Sequence, residues 1–413
     1  MIETFEVLMK AFAGRRVLMF LENGPYSQDA RVPGEATSLV SAGYRVSVIC
    51  PAGPKEPLRE LVDGVHIYHY PAPPTAHGFL GYLLEYSYSM VAQFLVSLIL
   101  LLCEGFDIIH AHCPPDTFVF IAAFYKLLGK LFVYDHHDLA PELYYARFGY
   151  SANRLIYQAL VLLEKLSCRL ADHVIATNES YKIVEMERGD LPQEHITVVR
   201  NGPDLRRMQT MERDPDLRHE GKLIISYVGW MGVQDGVDYL LRALHHLAYD
   251  LGRTDFLCVL VGAGDAWLSL ESMTEQLDLS GYVLFTGWVE PTEIPRYLSA
   301  ADICVAPEPS GPYNDRSTAI KVMEYMALGK PIVAFDLPEH RFSAQDAAVY
   351  ARANDELDFA RQIASLMDDP ERRKQMGEKG RQRIERELAW EYQEKFLLKA
   401  YEALLSDRDS RRR

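Results

Sequence analysis

Short apolar runs recur along the chain with helical patterns between them, and they form two series. The first series lies at residues 16–21, 45–50, 66–70, 107–111, 131–134, 173–177 and 197–200. The second series lies at residues 223–228, 256–261, 283–286, 303–306, 331–335 and 348–350. Apolar runs of strand length that alternate with helical segments are typical of β-α-β units and parallel sheets. The pattern therefore predicts an α/β protein with two doubly wound sheets.

A polar, turn-rich stretch at residues 201–222 separates the two series and indicates a hinge. We place an N-terminal Rossmann-like domain at residues 1–203 and a second domain at residues 204–388. Aromatic residues at helical spacing predict a terminal helix, and we expect residues 389–413 to complete the first domain. Doubly wound sheets bind ligands at the carboxyl ends of their strands, so we expect the two domains to face each other across a ligand cleft.

The composition fits a globular protein that does not bind nucleic acid. Hydrophobic residues make up 48% of the 413 positions and charged residues 24%, and the formal net charge is −15. Nucleic-acid-binding surfaces are basic, because they must neutralise phosphates. Six cysteines without any C-x-x-C pair indicate reduced thiols, and the N-terminus has no signal-peptide pattern. We therefore expect a cytoplasmic protein.

One segment without charged residues, at 86–103, has nearly the length of a membrane span. Gln93 and three serines dilute its apolar character. A buried crossover helix is the favoured interpretation, with one face of the helix on the inner surface of a membrane, and a transmembrane helix is the alternative.

The stretch at residues 314–336 predicts a polar turn, a short buried helix and a buried strand. Asn314, Asp315 and Ser317 are residue types that start helices. On such a helix Ser317, Lys321 and Glu324 occupy positions i, i+4 and i+7 and form one polar stripe. A cation and a carboxylate near a helix N-terminus suit a phosphate followed by a ribose hydroxyl. A solvent-facing Lys–Glu pair is the alternative.

Motifs along nearly the whole chain resemble those of the family 4 glycosyltransferases, which have the GT-B fold. They include FDIIHAHCPPD, VYDHHDLAPELY, VVRNGPD, VLVGAGD, LFTGWV and KVMEYMALGKPIVAFD, in that order. The resemblance implies a retaining transfer of a sugar from a UDP- or GDP-sugar, without a metal ion or other cofactor. It also implies that the second domain holds the donor and the first holds a glycan or lipid-linked acceptor.

The chain departs from the family pattern at two places. Many members have a Glu-x7-Glu pair across the helix at 314–336, but here Arg316 stands eight residues before Glu324. Many members also carry Arg and Lys in a glycine-rich phosphate loop, where this chain has Trp230 and Asp235. The sequence is similar to a sub-branch with an S-x3-K-x2-E pattern, so Lys321 becomes the principal candidate for neutralising the diphosphate.

The resemblance and the local patterns together give a set of candidate residues. Lys321, Glu324 and His137 are the catalytic candidates, although His137 could instead be a turn histidine bonded to Asp138. For binding the donor we predict Gly232, Gly262, Gly264, Trp288, Arg316, Ser317 and Thr318. For the acceptor side we predict Asp29, Arg31, Asp138 and Glu142. A lone G-x-G such as 262–264 is also common in simple tight turns.

The sequence thus predicts a metal-independent hexosyltransferase that acts in polysaccharide or cell-envelope glycan synthesis. Two alternatives remain open at this point: a GT-B nucleotide-sugar epimerase, and a non-catalytic partner that only binds nucleotide-sugars.

Overall fold

The computed structural model describes residues 14–73, 78–149, 152–212 and 221–411. The chain divides into two compact units. The first consists of residues 1–141, 152–201 and 393–413, and the second of residues 142–151 and 202–392. Each unit has its own sheet, as the two series of apolar runs predict.

The first unit is built on an eight-stranded sheet with the order β3-β4-β2-β1-β5-β6-β7-β8. Its strands are β1 (Arg16–Phe20), β2 (Arg45–Pro51), β3 (Arg59–Val62), β4 (Val65–Tyr70), β5 (Ile108–Cys113), β6 (Leu131–His136), β7 (His173–Ala176) and β8 (Ile196–Val198). All neighbouring strands are parallel except β3, which pairs antiparallel with β4. The sequence pattern missed β3 because it is a short edge strand with exposed side chains rather than an apolar run.

Helices connect these strands along the part of the chain that the structure describes. They are α1 (Val32–Ser41), α2 (Gly78–Cys103), α3 (Phe118–Leu127), α4 (Ala140–Phe148), α5 (Arg154–Leu170) and α6 (Glu179–Gly189), most of α4 being grouped with the second unit. Every residue of β5 and β6 is buried. These central strands are covered on both faces, as parallel sheets require.

The second unit has a six-stranded parallel sheet with the order β11-β10-β9-β12-β13-β14. Its strands are β9 (Leu223–Val228), β10 (Phe256–Val261), β11 (Val283–Gly287), β12 (Ile303–Ala306), β13 (Ile332–Phe335) and β14 (Ala348–Ala351). Its helices are α7 (Val237–His245), α8 (Trp267–Gln276), α9 (Ile294–Ala300), α10 (Ile320–Ala327), α11 (Pro338–Ala344), α12 (Glu356–Met367) and α13 (Pro370–Arg383). Both faces of the sheet carry a buried apolar cluster.

The last helix, α14 (Trp390–Arg411), packs on the first unit from residue 393 onward. Tyr401 is fully buried, its ring lies 5.3 Å from that of Tyr44, and its hydroxyl lies 2.9 Å from His110 Nδ1. Aromatic side chains of this size contribute strongly to packing, which explains why the terminal helix docks by this face.

Helix α2 buries polar side chains and exposes apolar ones, which is the opposite of what we expected for a buried helix. Its polar residues Ser89, Gln93 and Ser97 are fully buried, while Leu95 and Leu102 are 54% and 86% exposed. Gln93 Nε2 donates to Leu21 O at 3.4 Å, and Ser97 Oγ lies 2.7 Å from the Tyr125 hydroxyl. The 20-residue window Leu84–Cys103 is long and apolar enough to cross a membrane, by length and composition, and only 22% of it is buried.

Candidate functional site

In the second unit, three loops meet at the carboxyl ends of β9, β10 and β11. The loop after β9 is held by two backbone bonds, from Gly229 N to Val261 O at 3.0 Å and from Met231 N to Ala263 O at 2.9 Å. Gly262 N in turn donates to Gly287 O at 3.1 Å. This is the edge where doubly wound sheets bind their ligands.

The glycines in these loops are needed by the packing of the loops themselves. Gly262 has φ +130°, and a Cβ there would lie 2.0 Å from Gly229 O. A Cβ on Gly264 would lie 2.5 Å from Met231 N, and one on Gly232 would lie 2.7 Å from the Gln234 side chain. Close backbone contact therefore explains Gly262 and Gly264, whereas Gly232 faces side chains only, and contact of all three with a nucleotide stays a prediction.

Lys321 lies under the loop that follows β9. Its Nζ donates to Glu308 Oε1 and, at 3.2 Å, to the Tyr227 hydroxyl, and it lies 3.8 Å from Asp235 Oδ1. The ammonium also lies 4.5 Å from the centroid of the Tyr227 ring. The Tyr227 hydroxyl donates to Trp230 O at 2.6 Å, which fixes the loop above the lysine. The cation is thus held in place by two carboxylates and an aromatic ring.

The charges in this cluster stabilise one another. Burial favours the neutral form of Glu308, but Lys321 and then His340 lower the pKa of Glu308 to about 2. Burial likewise opposes the charge of Lys321, and Glu308 nevertheless raises the pKa of Lys321 well above its ordinary value. Burial raises the pKa of Asp235 to about 6, against the opposing effect of Lys321. Lys321 is therefore a permanent cation that could move from Glu308 to an incoming phosphate.

Glu324 lies one turn after Lys321 on α10 and is half-buried. Its carboxylate has no side-chain hydrogen-bond partner among the residues that the structure describes. Burial raises the pKa of Glu324 to about 7, and Lys321 opposes this only partly. A carboxylate in such a position can accept hydrogen bonds from ligand hydroxyls.

The raised pKa of Glu324 predicts a pH-dependent stability. The folded protein binds the Glu324 proton more tightly than the unfolded chain, so this stabilisation is complete below pH 4.5 and is lost as the pH rises through about 7. We expect the unfolding free energy of Glu324→Gln, measured relative to that of wild type, to be about 2–3 kcal/mol higher at pH 8 than at pH 4. This range already allows for screening by solvent at a half-buried site. Urea titrations at the two pH values measure it, with Glu275→Gln as an exposed control. An equal difference at both pH values would contradict the prediction.

The helix that bears Lys321 begins later than the sequence predicted. Ala319 is extended, with φ −75° and ψ 106°, and α10 starts at Ile320. Ser317 precedes the helix, and both its backbone N, at 3.1 Å, and its Oγ, at 3.0 Å, donate to Tyr313 O. The prediction that Ser317 shares a helical stripe with Lys321 and Glu324 is therefore wrong.

The remaining donor-side candidates lie around the same strand ends. Thr318 Oγ1 donates to Glu339 Oε2 at 3.0 Å. Arg316 Nη1 donates to Pro312 O at 3.2 Å and lies 4.0 Å from Glu142 Oε1, which is grouped with this unit. Trp288, directly after β11, is 51% exposed.

In the first unit, the acceptor-side candidates Asp29 and Arg31 form one turn. Asp29 Oδ1 accepts from Arg31 N at 2.7 Å and from Val32 N at 2.8 Å. Arg31 Nη2 lies 3.9 Å from Asp29 Oδ2. Burial raises the pKa of Asp29, but Arg31 and the two backbone donors together lower it below its ordinary value. Asp138 follows β6 by two residues.

His137 is buried, and its Nε2 lies 3.0 Å from Asp135 Oδ2. The same nitrogen lies 3.1 Å from His112 Nδ1. Burial and then Arg31 lower the pKa of His137.

Sequence reasoning missed the residues that surround both candidates. His110, His112 and Asp135 lie beside His137, and Glu308 lies beside Lys321. The strand period gave a signal, because residues two apart point to one face and β5 pairs with β6 so that His112 is opposite Asp135. No pattern indicated Glu308, which approaches Lys321 from the loop after β12.

Comparisons with known proteins agree with this architecture. The family model described as Glycosyltransferase Family 4 matches residues 35–207, and the one described as Glycosyl transferases group 1 matches residues 208–383. A D-inositol 3-phosphate glycosyltransferase from Salinispora tropica is 25% identical over 402 residues, which cover 91% of this chain and 80% of that protein.

Two solved structures are similar in fold. Sucrose-phosphate synthase from Thermosynechococcus elongatus superposes with a TM-score of 0.77 at 17% identity, covering 95% of this chain and 100% of that one. HepE from Anabaena, in complex with UDP-glucose, gives a TM-score of 0.69 at 17% identity, covering 94% and 99%. At this level of identity they confirm the predicted GT-B fold and nothing more specific.

Proposed function

The chain belongs to the family 4 glycosyltransferases, and from that premise we propose that it moves a hexose from a UDP- or GDP-sugar to a glycan or lipid-linked acceptor. The observation that carries the proposal is the buried Lys321 beside a loop at the carboxyl ends of β9 and β10. A cation in that place suits the leaving diphosphate of a sugar donor.

The donor would lie along the strand ends of the second unit. Lys321 would bind the diphosphate, and the carboxylate of Glu324 would accept hydrogen bonds from the ribose. The half-exposed Trp288 would pack on the base, and Arg316 would reach a phosphate. UDP-glucose in the similar fold of HepE supports a uridine nucleotide as the first donor to test.

The acceptor would be held by polar side chains of the Asp29–Arg31 turn and of the segment after β6. Asp29, Arg31 and Asp138 offer charged groups that hydrogen-bond sugar hydroxyls, while Glu142, which is grouped with the second unit, stays a separate candidate. His137 would act as a positioning group, because its ring is buried against Asp135 at 3.0 Å.

We further propose transfer with retention of configuration by attack on the face that the leaving group departs from. The bond between sugar C1 and the β-phosphate oxygen breaks, and the acceptor oxygen forms a bond to C1. The acceptor proton passes to an oxygen of the departing phosphate. Lys321 stabilises the charge on that phosphate, so position and charge account for the catalysis and no residue forms a covalent intermediate.

A thermal-shift panel followed by product analysis tests the proposed function. A nucleotide-sugar donor at 100 times its dissociation constant should stabilise the chain by about 2.7 kcal/mol, and UDP- and GDP-sugars are compared directly. Incubation of the stabilising donor with membrane lipid extracts or glycans should then release the nucleotide and give a glycosylated product. An epimerised donor in the absence of acceptor would favour an epimerase, and binding without any turnover would favour a non-catalytic partner.

We also propose that the enzyme works in the cytoplasm against the inner face of a membrane, where lipid-linked acceptors lie. The support is the outward apolar stripe of α2: Leu84, Val91, Leu95, Ile99 and Leu102 are all more than half exposed. Phe120 and Leu127 of the adjacent α3 extend this apolar surface, with exposures of 61% and 87%. Exposed apolar helix faces of this kind bury into the interface of a bilayer.

Replacing Leu95 and Ile99 together with serine should weaken binding to lipid vesicles by about 100-fold. Each large aliphatic side chain that enters the bilayer contributes about 1.5–3 kcal/mol. Flotation with vesicles of mixed zwitterionic and anionic lipid measures the effect, and Leu268→Ser on the second unit is the exposed control. Equal flotation of the double variant and wild type would exclude this surface as the membrane-binding site.

A further inference from the structure

Four buried side chains of the first unit point their ligand-type atoms at one position. They are Glu35 from α1, His112 from the end of β5, Asp135 from β6 and His137 just after β6. Their exposures are 1%, 3%, 0% and 5%, and one donor atom from each lies within 4.8 Å of all the others. The cluster therefore combines two imidazoles with two carboxylates in a space closed to solvent.

The distances in the cluster are those of atoms around a common centre. Asp135 Oδ2 lies 3.1 Å from His112 Nδ1 and 3.0 Å from His137 Nε2, and the two nitrogens are 3.1 Å apart. Glu35 Oε2 completes the set at 3.9 Å from His112 Nδ1. Tetrahedral ligands with metal–ligand bonds of about 2.0–2.2 Å are separated by about 3.4 Å, which is in the middle of this range.

Hydrogen bonds alone do not satisfy these groups. Asp135 Oδ2 faces the ring nitrogens of His110, His112 and His137, and two of those nitrogens also face each other. Glu35 Oε2 is buried and has no hydrogen-bond partner among the residues that the structure describes. A cation at the centre would accept lone pairs from both nitrogens and both oxygens at once.

The charge of the cluster also calls for a cation. Two carboxyl groups, Glu35 and Asp135, are buried together, and two acidic groups buried side by side are costly to ionise. The nearby guanidinium of Arg31 is shared with Asp29, 3.9 Å away. A divalent ion would neutralise both buried carboxylates.

We propose that Glu35, His112, Asp135 and His137 bind a divalent transition-metal ion, with Zn²⁺ the best match. Two imidazole nitrogens and two carboxylate oxygens suit Zn²⁺ and related ions, whereas Mg²⁺ and Ca²⁺ prefer sites made only of oxygen. Four protein ligands leave no position for substrate, so the ion would be structural and would join α1 to the ends of β5 and β6.

A second layer of contacts supports the site. His110 Nε2 lies 3.1 Å from Asp135 Oδ2, and His110 Nδ1 lies 2.9 Å from the Tyr401 hydroxyl on α14. Such outer contacts orient metal ligands and raise affinity. The site shares His137 with the proposed transfer reaction, but its test is separate, since metal binding is measured on the protein without substrate.

The test is metal analysis of the full chain after removal of any affinity tag. We expect about one Zn²⁺ per chain, and we expect a stripped sample to bind Co²⁺ with the visible absorption of a tetrahedral site. Zn²⁺, but not Mg²⁺, should restore the melting temperature of the stripped protein. The double variant Glu35→Gln/His112→Gln should bind at least about 100-fold more weakly, because even loss of an outer contact costs 10–100-fold.

The matched control is His69→Gln, which alters a buried histidine of the same unit that lies 3.0 Å from Glu60 and outside the cluster. This variant should keep the metal. Wild-type protein that contains no metal and gives no Co²⁺ spectrum would overturn the proposal, and so would a double variant that binds as tightly as wild type. If the double variant does not fold, the wild-type Co²⁺ titration decides.

Discussion

Replacing Lys321 with alanine should lower the rate of sugar transfer by about 10²–10³-fold. Trp230 and Asp235 stand where many family members carry loop cations, so in the proposed donor site the ammonium of Lys321 would be the main positive charge near the diphosphate. The loss should be in kcat and kcat/KM together, since the charge on the leaving group is largest in the transition state. Initial rates with the donor identified by thermal shift measure it.

The design must separate catalysis from folding, because Lys321 is paired with the buried Glu308. Removing one partner of a buried pair costs about 3–5 kcal/mol of stability. The double variant Lys321→Met/Glu308→Gln removes both charges and should recover much of that stability while remaining inactive. Lys379→Ala, an exposed lysine paired with Asp346, should behave as wild type. A double variant with normal activity would rule out Lys321 as the phosphate ligand.

Replacing Glu324 with glutamine should weaken donor binding by about 10–100-fold. A hydrogen bond to a charged acceptor is worth about 1.5–3 kcal/mol, and glutamine offers only a neutral carbonyl to the ribose. Because burial raises the pKa of Glu324 to about 7, wild-type affinity should rise between pH 6 and pH 8 as the carboxylate ionises.

Titration calorimetry at several pH values measures how the donor affinity depends on pH. Glu324→Gln should show a nearly flat profile over that range, and Glu275→Gln should follow wild type. A wild-type affinity that is constant with pH, or a variant that keeps the wild-type slope, would show that Glu324 does not contact the donor.

The fold followed from the sequence because all strand pairs except β3 with β4 are parallel and the central strands are covered on both faces. Buried strands such as β10 and β13 are continuous apolar runs with helices between them, and these can be recognised without structural information. The edge strand β3 lacks such a run and was missed. The helix α2 was assigned to the core because apolar residues usually face inward, whereas Gln93 and its neighbouring serines do so here.

The candidate site was predictable only where it lies within one segment. Lys321 and Glu324 are three residues apart, so a local pattern was sufficient to select them. Glu308 and the carboxylate of Glu35 reach their partners through tertiary folding, which no spacing in the sequence reveals. The start of α10 is set by the extended backbone of Ala319, which residue types at 314–317 that favour helix starts do not reveal.

The most direct test of the account compares UDP with uridine as ligands for wild type and for Lys321→Met/Glu308→Gln, with GDP and guanosine in parallel. If Lys321 holds the diphosphate, the wild type should bind the diphosphate at least about 100-fold more tightly than the nucleoside, and the ratio should approach one in the variant. A ratio that is unchanged by the substitutions would contradict the assignment of Lys321 as the centre of the donor site.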